Sequence, residues 1–583
     1  MAKRVSHLGT AFSFIRKLYY GFAVDFGGPL RSLNLRVAKA PVFFDSRCDV
    51  ITGNRDSGTS ILSGTFTYQG QSIDVGAQGD PWSIALPSES YAAWLHGFHW
   101  LPDLLASKDK AAVIRARFLA DRWIEHFGKW NAYAWNPDIL THRLYHWLTY
   151  WAPALSLDSL SKEADRRRKV TIRQLKRLKA TYNRLPQGPI RIKAAVVLAL
   201  GGLRRDGRDD PFFQKGLDLL DDEINAQVLP DGGLTTRCPA DIIDILAILS
   251  SLDKLIQARG VEGSSALTRA IDRMQPAVAF FCHPDGRLAN FNGSGEGNAD
   301  VIRQLIKLSN LPERPFLICP NTGYQRIVIG ELVFIIDTGG TPAFGYDTRA
   351  HLAPLAFELS SEAGRLIVNC GGGKDLPAKW KDLMRQTAAH STLVLSDMSP
   401  GVLISQGLRS ELYGPGFSKD VGKVNVARRE QAAGVWLEGS HNGYGDEYGL
   451  SHRRRIYVNP QGDDIRGEDT LYLPHSETPK TREAVPFDIR FHLHPDVIVT
   501  IAQDQNSALL IQKGRIGWRF RTDAGPLRIE KSVYFGQGHR GRETQQLVIS
   551  GAAFGDGDGE TDTNRVRWSI RRIQKTQSLN KPL

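Results

Sequence analysis

HLAPLAFELSSEAGRLIVNCGGG, residues 351–373, is the stretch that decides the fold of the second half of this chain. From Leu352 to Leu359, the residues Leu, Pro, Ala and Glu alternate with Ala, Leu, Phe and Leu. A second strand-like run, RLIVNC, follows from Arg365 to Cys370. The segment SSEAG between the two runs is a good turn sequence. The stretch therefore predicts a β-hairpin with one apolar face.

The same period of two continues beyond this hairpin. From about Pro315 onward, strand-like segments follow one another, with Gly, Pro, Asn and Asp between them; examples are YQRIVIGELVFIIDTGG, STLVLSD and FDIRFHLHPDVIVTIAQ. Roughly ten or more short strands in series are typical of a large antiparallel β-sandwich.

Upstream of the predicted strands, the period changes. From Tyr91 to about Leu308, apolar residues recur three and four positions apart, as in AAVIRARFLADRWIEHFG and ADIIDILAILSSLDKLI. This pattern predicts roughly eight to ten helices with no strand between them, which excludes a parallel α/β sheet. Helices followed by strands indicate an α+β fold.

We therefore divide the chain into three predicted regions. Residues 1–90 form an N-terminal extension with a basic helix and, within Ser63–Gly76, short strands separated by Gly turns. Residues 91–312 form the helical domain, and residues 313–583 form the sandwich. The basic segment at the start, MAKRVSHLGTAFSFIRKLYYGFAV, predicts an amphipathic helix that packs on the domain or touches a membrane surface, rather than a secretory signal.

Charge and cysteine content narrow the class of protein. A net charge of +12 creates a field that favours acidic partners: nucleic acid, acidic polysaccharide or anionic lipid. The sequence has no recognisable nucleic-acid module and no run of the roughly 18 apolar residues that a membrane span needs. Its five cysteines are scattered and form no CxxC pair, which argues against a disulfide framework and favours the reduced cytoplasm.

Two histidines and an asparagine are predicted to meet at one end of the sheet. His351 opens the hairpin, Asn369 lies near its other end, and His390 opens the next apolar strand, HSTLVL. Strand rise and spacing place Asn369 within about 10 Å of His351, and a neighbouring third strand would bring His390 to the same end of the sheet. The cluster would be a metal site or a proton-handling group. The alternative is a pair of strand-end histidines in ordinary loop hydrogen bonds.

A second candidate site is the segment GSHNGYGDEYGLSHRRRIYV, residues 439–458. It brings His441, Tyr444 and His452 close in sequence to Arg453 and Arg455, which share one face of the following strand. A loop of this composition suits proton transfer beside a carboxylate that arginine holds in place. The alternative is a charged edge strand that prevents aggregation.

Two loops supply the remaining candidates. Arg237 precedes an apolar helix that begins at Pro239, so it would lie at the positive end of that helix, or simply within its cap. Asn290 and Asn292 lie in GRLANFNGSGEGNAD, and such amide-rich loops either bind sugar hydroxyls or form ordinary turns.

Several of these segments together resemble the bacterial heparinase II/III-like polysaccharide lyases. They are WLHGFHWL, PDGG before TTRCP, ANFNGSGEG, AHLAPLAFELSSEAGRLIVNCGG, AAHSTLVL and GLSHRRRIYV. The resemblance implies an incomplete (α/α) toroid followed by an antiparallel β-sandwich, with the active cleft between them. It also implies β-elimination on an acidic polysaccharide or oligosaccharide, such as a glycosaminoglycan or an alginate-like chain. In that reaction one group neutralises the uronate, a base removes the C5 proton, and an acid protonates the leaving oxygen.

The resemblance also suggests residue roles. In zinc-containing members, residues at the positions of His351, Asn369 and His390 hold the metal, but the family has an acid where this chain has Asn369. The family's catalytic His or Asn after TTRCP has no counterpart in ADIID, and Tyr444 is assigned from local chemistry. The predicted catalytic residues are His351, His390, Tyr444, His452 and Arg237. The predicted substrate-binding residues are Asn290, Asn292, Arg453, Arg455 and His441.

These departures from the family leave an alternative function open. The chain would then be a catalytically impaired glycan-binding or cell-envelope-related protein with the lyase fold. Many relatives work in the periplasm, which is the alternative to the cytoplasm as a location.

Overall fold

The computed structural model describes most of the chain. It covers residues 35, 37, 40–150, 161–308, 316–373, 376–474, 479–480, 483–512, 516–555 and 564–573. The predicted basic helix at the start of the chain lies outside the described residues. In the part of the chain that is described, no helix is long and apolar enough to cross a membrane.

Helices dominate the first half of the chain, as the period of three and four predicts. A short hairpin precedes most of them, formed by β1 (Thr65–Tyr68) and β2 (Gln71–Asp74) within the predicted Ser63–Gly76 segment. The described helices of this half are α1 (Arg55–Ser63), α2 (Glu89–His96), α3 (Leu101–Leu105), α4 (Lys110–Phe127), α5 (Pro137–Thr149), α6 (Lys162–Thr181), α7 (Pro189–Arg204), α8 (Pro211–Gln227), α9 (Pro239–Arg259), α10 (Ser265–Phe280) and α11 (Ala299–Ile306).

Local sequence signals explain where several of these helices begin. Helices α5, α7, α8 and α9 each begin with a proline, whose missing N–H is not needed in the first turn. The Asp210 side chain caps α8 by accepting a hydrogen bond from the Phe212 N–H. Helix α9 begins at Pro239 without a side-chain cap, in agreement with the predicted start.

Strands dominate the second half. They are β3 (Ile318–Cys319), β4 (Tyr324–Ile329), β5 (Leu332–Asp337), β6 (Phe357–Ser361), β7 (Gly364–Val368), β8 (Leu393–Leu395), β9 (Val402–Ile404), β10 (Gly416–Lys419), β11 (Val424–Gln431), β12 (Gly434–His441), β13 (Ser451–Val458), β14 (Asp464–Tyr472), β15 (Val485–Leu493), β16 (Ile498–Ile501), β17 (Ser507–Ile511), β18 (Gly517–Thr522), β19 (Arg528–Tyr534), β20 (Arg542–Ala553) and β21 (Arg565–Arg572). The short helices α12 (Ala378–Lys381), α13 (Leu408–Tyr413) and α14 (Gly445–Tyr448) lie between them.

Most of these strands form two large antiparallel sheets. One sheet has eight strands in the order β11-β12-β13-β14-β21-β18-β17-β16. The other has nine, in the order β19-β20-β15-β7-β6-β5-β4-β3, with β8 paired to β15. The predicted α+β fold, with helices first and an antiparallel sandwich second, is confirmed.

The nine-stranded sheet is the middle layer of the molecule. Along β5, Phe334 and Ile336 belong to the core between the two sheets. The alternate residues Val333 and Ile335 belong to the core of the helical region. One strand therefore buries both of its faces, and residues at the ends of this sheet lie at the junction of the helical and sheet layers.

The hairpin predicted from residues 351–373 forms β6 and β7, which pair around the turn. Its first strand begins at Phe357 rather than at Leu352, because Leu355 has a left-handed φ of 61° that interrupts the extended backbone. His351 therefore lies in the loop before the strand.

Candidate active site

His351 and His390 meet at the junction of the layers. His351 comes from the loop between β5 and β6, and His390 follows a short turn before β8. The His351 Nδ1 atom lies 2.7 Å from the His390 Nε2 atom. Both side chains are buried, with 8% and 1% of their surface exposed, so the pair does not face an open groove.

Hydrogen bonds occupy all four ring nitrogens of this pair. The Gly293 N–H donates to His351 Nε2 over 2.9 Å, which places the His351 proton on Nδ1. That proton is donated to His390 Nε2, and His390 Nδ1 donates to the Gln386 carbonyl oxygen over 2.9 Å. The network thus assigns both rings as neutral, with no lone pair left for a substrate proton.

Burial explains why the pair stays neutral. Desolvation lowers the pKa of His390 to about 4. Desolvation and the neighbouring His390 hold the pKa of His351 well below its usual value. Protonation of His390 Nε2 would also place its new N–H group against the N–H group of His351 Nδ1.

Asn369, the third member of the predicted metal site, is also fully engaged. Its side-chain oxygen accepts from the Ser391 N–H over 3.0 Å, and its side-chain nitrogen donates to the Asn290 carbonyl over 3.3 Å. The donor set does not fit zinc, because each atom that would bind the metal already has a hydrogen-bonding partner. Within the described residues, no three or more His, Cys, Asp or Glu side chains are placed to hold a metal.

A second histidine pair lies inside the sandwich. His441 Nε2 faces His452 Nδ1 at 3.3 Å, and His452 Nε2 donates to Asp469 over 2.7 Å. The Gly443 N–H donates to His441 Nδ1 over 3.2 Å, so these four ring nitrogens are also used. Burial lowers the pKa of His452, even though the Asp469 carboxylate raises it. The pair is neutral and buried.

Tyr444, the predicted proton donor, packs in the core between the sheets. It is 2% exposed, and its hydroxyl donates to the Leu393 carbonyl over 3.2 Å. Burial raises its pKa. In β13, His452 points into the sandwich, whereas Arg453 and Arg455 point away from it. The predicted Tyr–His–Arg site is therefore divided between the two faces of one sheet.

Arg237 joins the helical layer to the middle sheet. It adopts a left-handed φ of 56° before α9, and its guanidinium donates to the carbonyls of Thr322 and Gly340. It also forms a buried ion pair with Asp337 at the end of β5. Because its charge is already neutralised by a carboxylate, Arg237 is not available to hold a uronate.

The two predicted sugar-binding asparagines are buried at the same junction. Asn290 donates to Glu358 over 3.2 Å and to the Tyr534 hydroxyl over 3.1 Å. Asn292 donates to Asp337, and its side-chain oxygen accepts from the His351 N–H over 3.0 Å. Both are fully or almost fully buried, so their amides link loops to the sheet.

Sequence reasoning missed a buried polar cluster beside these asparagines. Glu358 accepts from the Asn369 N–H over 2.9 Å and contacts His283 Nε2 at 3.0 Å, and Arg365 lies 3.4 Å away. Burial alone raises the pKa of Glu358, but the hydrogen bond from His283 and the nearby positive charge of Arg365 hold it below its usual range. The sequence signal for this cluster was Glu358, a charged residue between Phe357 and Leu359 whose side chain lies on the opposite face of the strand.

The cavity beside the predicted site residues Asn292 and Arg237 is small. A cavity of about 30 Å³ is lined by Thr236, Asp241, Asn292 and Arg349, among others. An ion pair between Arg349 and Asp241 borders it. A water molecule occupies about 30 Å³ of liquid, whereas small-molecule sites usually measure about 300–1,000 Å³. This cavity has no room for a sugar ring.

Comparisons with known proteins agree with this architecture. Residues 312–569 match the family model described as heparinase II/III-like, C-terminal. FtsZ-localized protein C of Caulobacter vibrioides is 34% identical over 524 residues, which cover 89% of this chain and 88% of that protein.

Two solved structures have the same fold at low sequence identity. Heparinase III matches 98% of this chain and 93% of its own length, with a TM-score of 0.68 and 14% identity. A mutant of the heparan sulfate lyase HepC from Pedobacter heparinus matches 89% of this chain and 83% of its own, with a TM-score of 0.60 and 16% identity.

Proposed function

The chain belongs to the heparinase II/III-like family, and from this premise we propose that it keeps the polysaccharide-lyase fold without the elimination chemistry. It works as a binding protein that localises with FtsZ, in the reduced cytoplasm that its five free cysteines favour. The observation that carries this proposal is that all four ring nitrogens of His351 and His390, the predicted base candidates for the elimination, already have hydrogen-bonding partners.

A β-elimination needs a base with a free lone pair. His351 and His390 are the candidates that the sequence predicted, but the His351 Nε2 atom accepts a hydrogen bond from the Gly293 N–H, and the His390 Nε2 atom accepts one from His351 Nδ1. To act as a base, either ring would first have to lose a buried hydrogen bond. That loss leaves a polar group unsatisfied, at a cost of about 1–3 kcal/mol.

The elimination also needs a cation for the uronate and an acid for the leaving oxygen. Arg237 is paired with Asp337, and Arg349 with Asp241. The Tyr444 hydroxyl donates into the sandwich core. Therefore none of these groups offers its charge or its proton to the space between the layers.

The similarity to FtsZ-localized protein C supports the proposed location and the binding role. It extends over 89% of this chain, so it includes the helical region as well as the sandwich. The similarity to the two lyases supports the fold alone, because their identities to this chain are 14% and 16%.

Lyase activity on an acidic polysaccharide is the function that this proposal rejects, and a direct assay separates the two. The protein is incubated with a panel of uronate-containing glycans, and the ultraviolet absorbance of the unsaturated product is followed, with heparinase III as the positive control. We expect no product. Product formation that is lost in the His390→Gln variant, with the folded state checked by circular dichroism, would overturn the proposal.

The location is tested separately. A fluorescent fusion of this chain is expressed in Caulobacter vibrioides and imaged together with FtsZ. We expect the two signals to coincide. A uniform distribution would contradict the binding role while leaving the absence of lyase activity intact.

A further inference from the structure

The outer face of the eight-stranded sheet is a large surface outside the candidate active site. The face consists of the side chains of β12, β13, β14, β21 and β18 that point away from the sandwich core. In register, Trp436 lies opposite Tyr457, Tyr457 opposite Arg466, and Arg466 opposite Ser569. Arg521 lies opposite Ser569 on the other side and completes a row across five strands.

This face is rich in arginine and has no lysine. Its outward side chains include eight arginines: Arg453, Arg455, Arg466, Arg519, Arg521, Arg565, Arg567 and Arg571. Its outward carboxylates within the same strands are Glu438, Asp464 and Glu468. None of the five strands contains a lysine. The arginines exceed the carboxylates, so the face is strongly positive.

The carboxylates are shared among some of the arginines only. Asp464 pairs with both Arg466 and Arg571. Glu468 pairs with Arg455 and Arg567, among others. Arg519 and Arg521 are exposed and, within the described residues, neither forms an ion pair at salt-bridge distance, although the Arg521 charge acts on the more distant Asp504 carboxylate. Both are therefore available to an incoming anion.

A groove of about 910 Å³ lies on this face, and the arginines that line it are Arg455, Arg466, Arg521, Arg567 and Arg571. Arg519 lies beside the groove, directly opposite Arg571 on the neighbouring strand. Ser569 forms part of its floor, because its small side chain lies between the long side chains of Arg466 and Arg521. Trp436 and Tyr457 form an apolar edge, with ring centroids 4.4 Å apart and planes tilted by 39°. Trp436 is 48% exposed despite its size, which is a large apolar surface left in water.

We propose that this arginine groove binds an acidic polypeptide segment, so that it is the partner-binding surface of the binding protein proposed above. The inference rests on that proposed function. Tryptophan, tyrosine and arginine are the residues enriched at the energetic centres of protein interfaces, whereas lysine is depleted there. Arginine also holds carboxylates in a fixed two-point geometry, which gives specificity as well as attraction.

An anionic glycan fits this surface less well. A sugar ring stacks on a flat aromatic face, whereas Trp436 and Tyr457 pack against each other at an angle. An apolar side chain in an acidic peptide would instead contact both rings, while glutamates about four or more residues further along reach Arg519 and Arg521, since three strand spacings of about 4.8 Å separate Tyr457 from Arg521.

The test uses a labelled peptide rich in glutamate that carries one leucine, with fluorescence anisotropy as the readout. Its matched peptide has glutamine in place of every glutamate. We expect the acidic peptide to bind and the glutamine peptide not to bind. The double variant Arg519→Glu, Arg521→Glu should weaken binding about tenfold or more, and Trp436→Ala should weaken it with little change in salt dependence.

The matched control reverses two exposed charges on the helical layer, Arg55→Glu and Arg303→Glu. This control has the same net charge as the groove variant, and its affinity should stay within about twofold of the wild type. Equal losses in both double variants would overturn the proposal, since they would mean attraction to overall charge. Stronger binding of a hyaluronan or heparin oligosaccharide through Arg519 and Arg521 would also overturn it, in favour of a glycan site. If the peptide fails but the fusion still localises with FtsZ, the groove assignment is rejected and the binding role stands.

Discussion

Acid should destabilise the protein through His390 in particular. In the folded state its pKa is lowered to about 4 by burial, against about 6.5 in an unfolded chain. The unfolded state therefore binds more protons as the pH falls below about 6.5. The stability associated with neutral His390 is fully present above that pH and is lost as the pH falls towards about 4.

The size of this loss follows from the pKa difference. This difference corresponds to about 3 kcal/mol when both states are fully titrated. At about pH 5, the proton-binding expression gives about 2 kcal/mol from this one residue. Other buried histidines, such as His96 and His146, titrate in the same direction, so only a difference between variants isolates His390.

The assay is urea unfolding followed by tryptophan fluorescence at about pH 7.5 and about pH 5, with the wild type and His390→Gln compared. Glutamine does not titrate, and its side-chain oxygen can accept the hydrogen bond that His351 Nδ1 donates. We expect the wild type to lose about 2 kcal/mol more than the variant between the two pH values. The exposed His126→Gln variant is the control and should lose as much as the wild type. Equal losses in wild type and His390→Gln would refute the assignment of His390 as a buried, neutral ring.

Three further outcomes are expected. Asp337→Asn should lower the free energy of unfolding by about 3 kcal/mol, because it leaves the buried Arg237 charge without its carboxylate; the exposed Glu430→Gln change should cost less than about 1 kcal/mol in the same urea assay. Tyr444→Phe should cost about 1 kcal/mol, the value of its hydrogen bond to Leu393, and a much larger loss would point to a role beyond packing. Addition of zinc, or of a chelator, should leave the melting temperature unchanged, whereas a melting temperature that rises with zinc concentration would restore the predicted metal site.

Much of the architecture was predictable because periodicity reports which face of an element is buried. The change from a period of three and four to a period of two located the end of the helices and the start of the strands. The run LVFII in β5, which precedes Asp337, is apolar throughout, a pattern that either a buried strand or a helix segment can produce. What the pattern did not reveal is that consecutive residues, such as Val333 and Phe334, pack into two different cores.

The meeting of His351 and His390 was predictable from strand adjacency, but their chemical state was not. Their outer partners are Gly293, from a loop of the helical half, and the Gln386 carbonyl. Backbone groups carry no sequence signal, so a spacing argument predicts that the rings are close without predicting that their nitrogens are satisfied. The same limit applies to Arg237, whose partners are mostly carbonyls of another layer.

A substrate would have to widen the small cavity between the layers before it could bind there. Opening would separate Arg349 from Asp241 and Arg237 from Asp337, and it would draw Tyr324 away from the helical core. A ligand drives such a change only by its difference in affinity for the two states. A uronate could replace one carboxylate on one arginine, but it would leave the displaced aspartate unpaired beside the new negative charge. The binding of a uronate therefore does not compensate for the ion pairs lost on opening. Binding by this chain is favoured at a surface that is already open, such as the arginine groove on the far side of the sandwich.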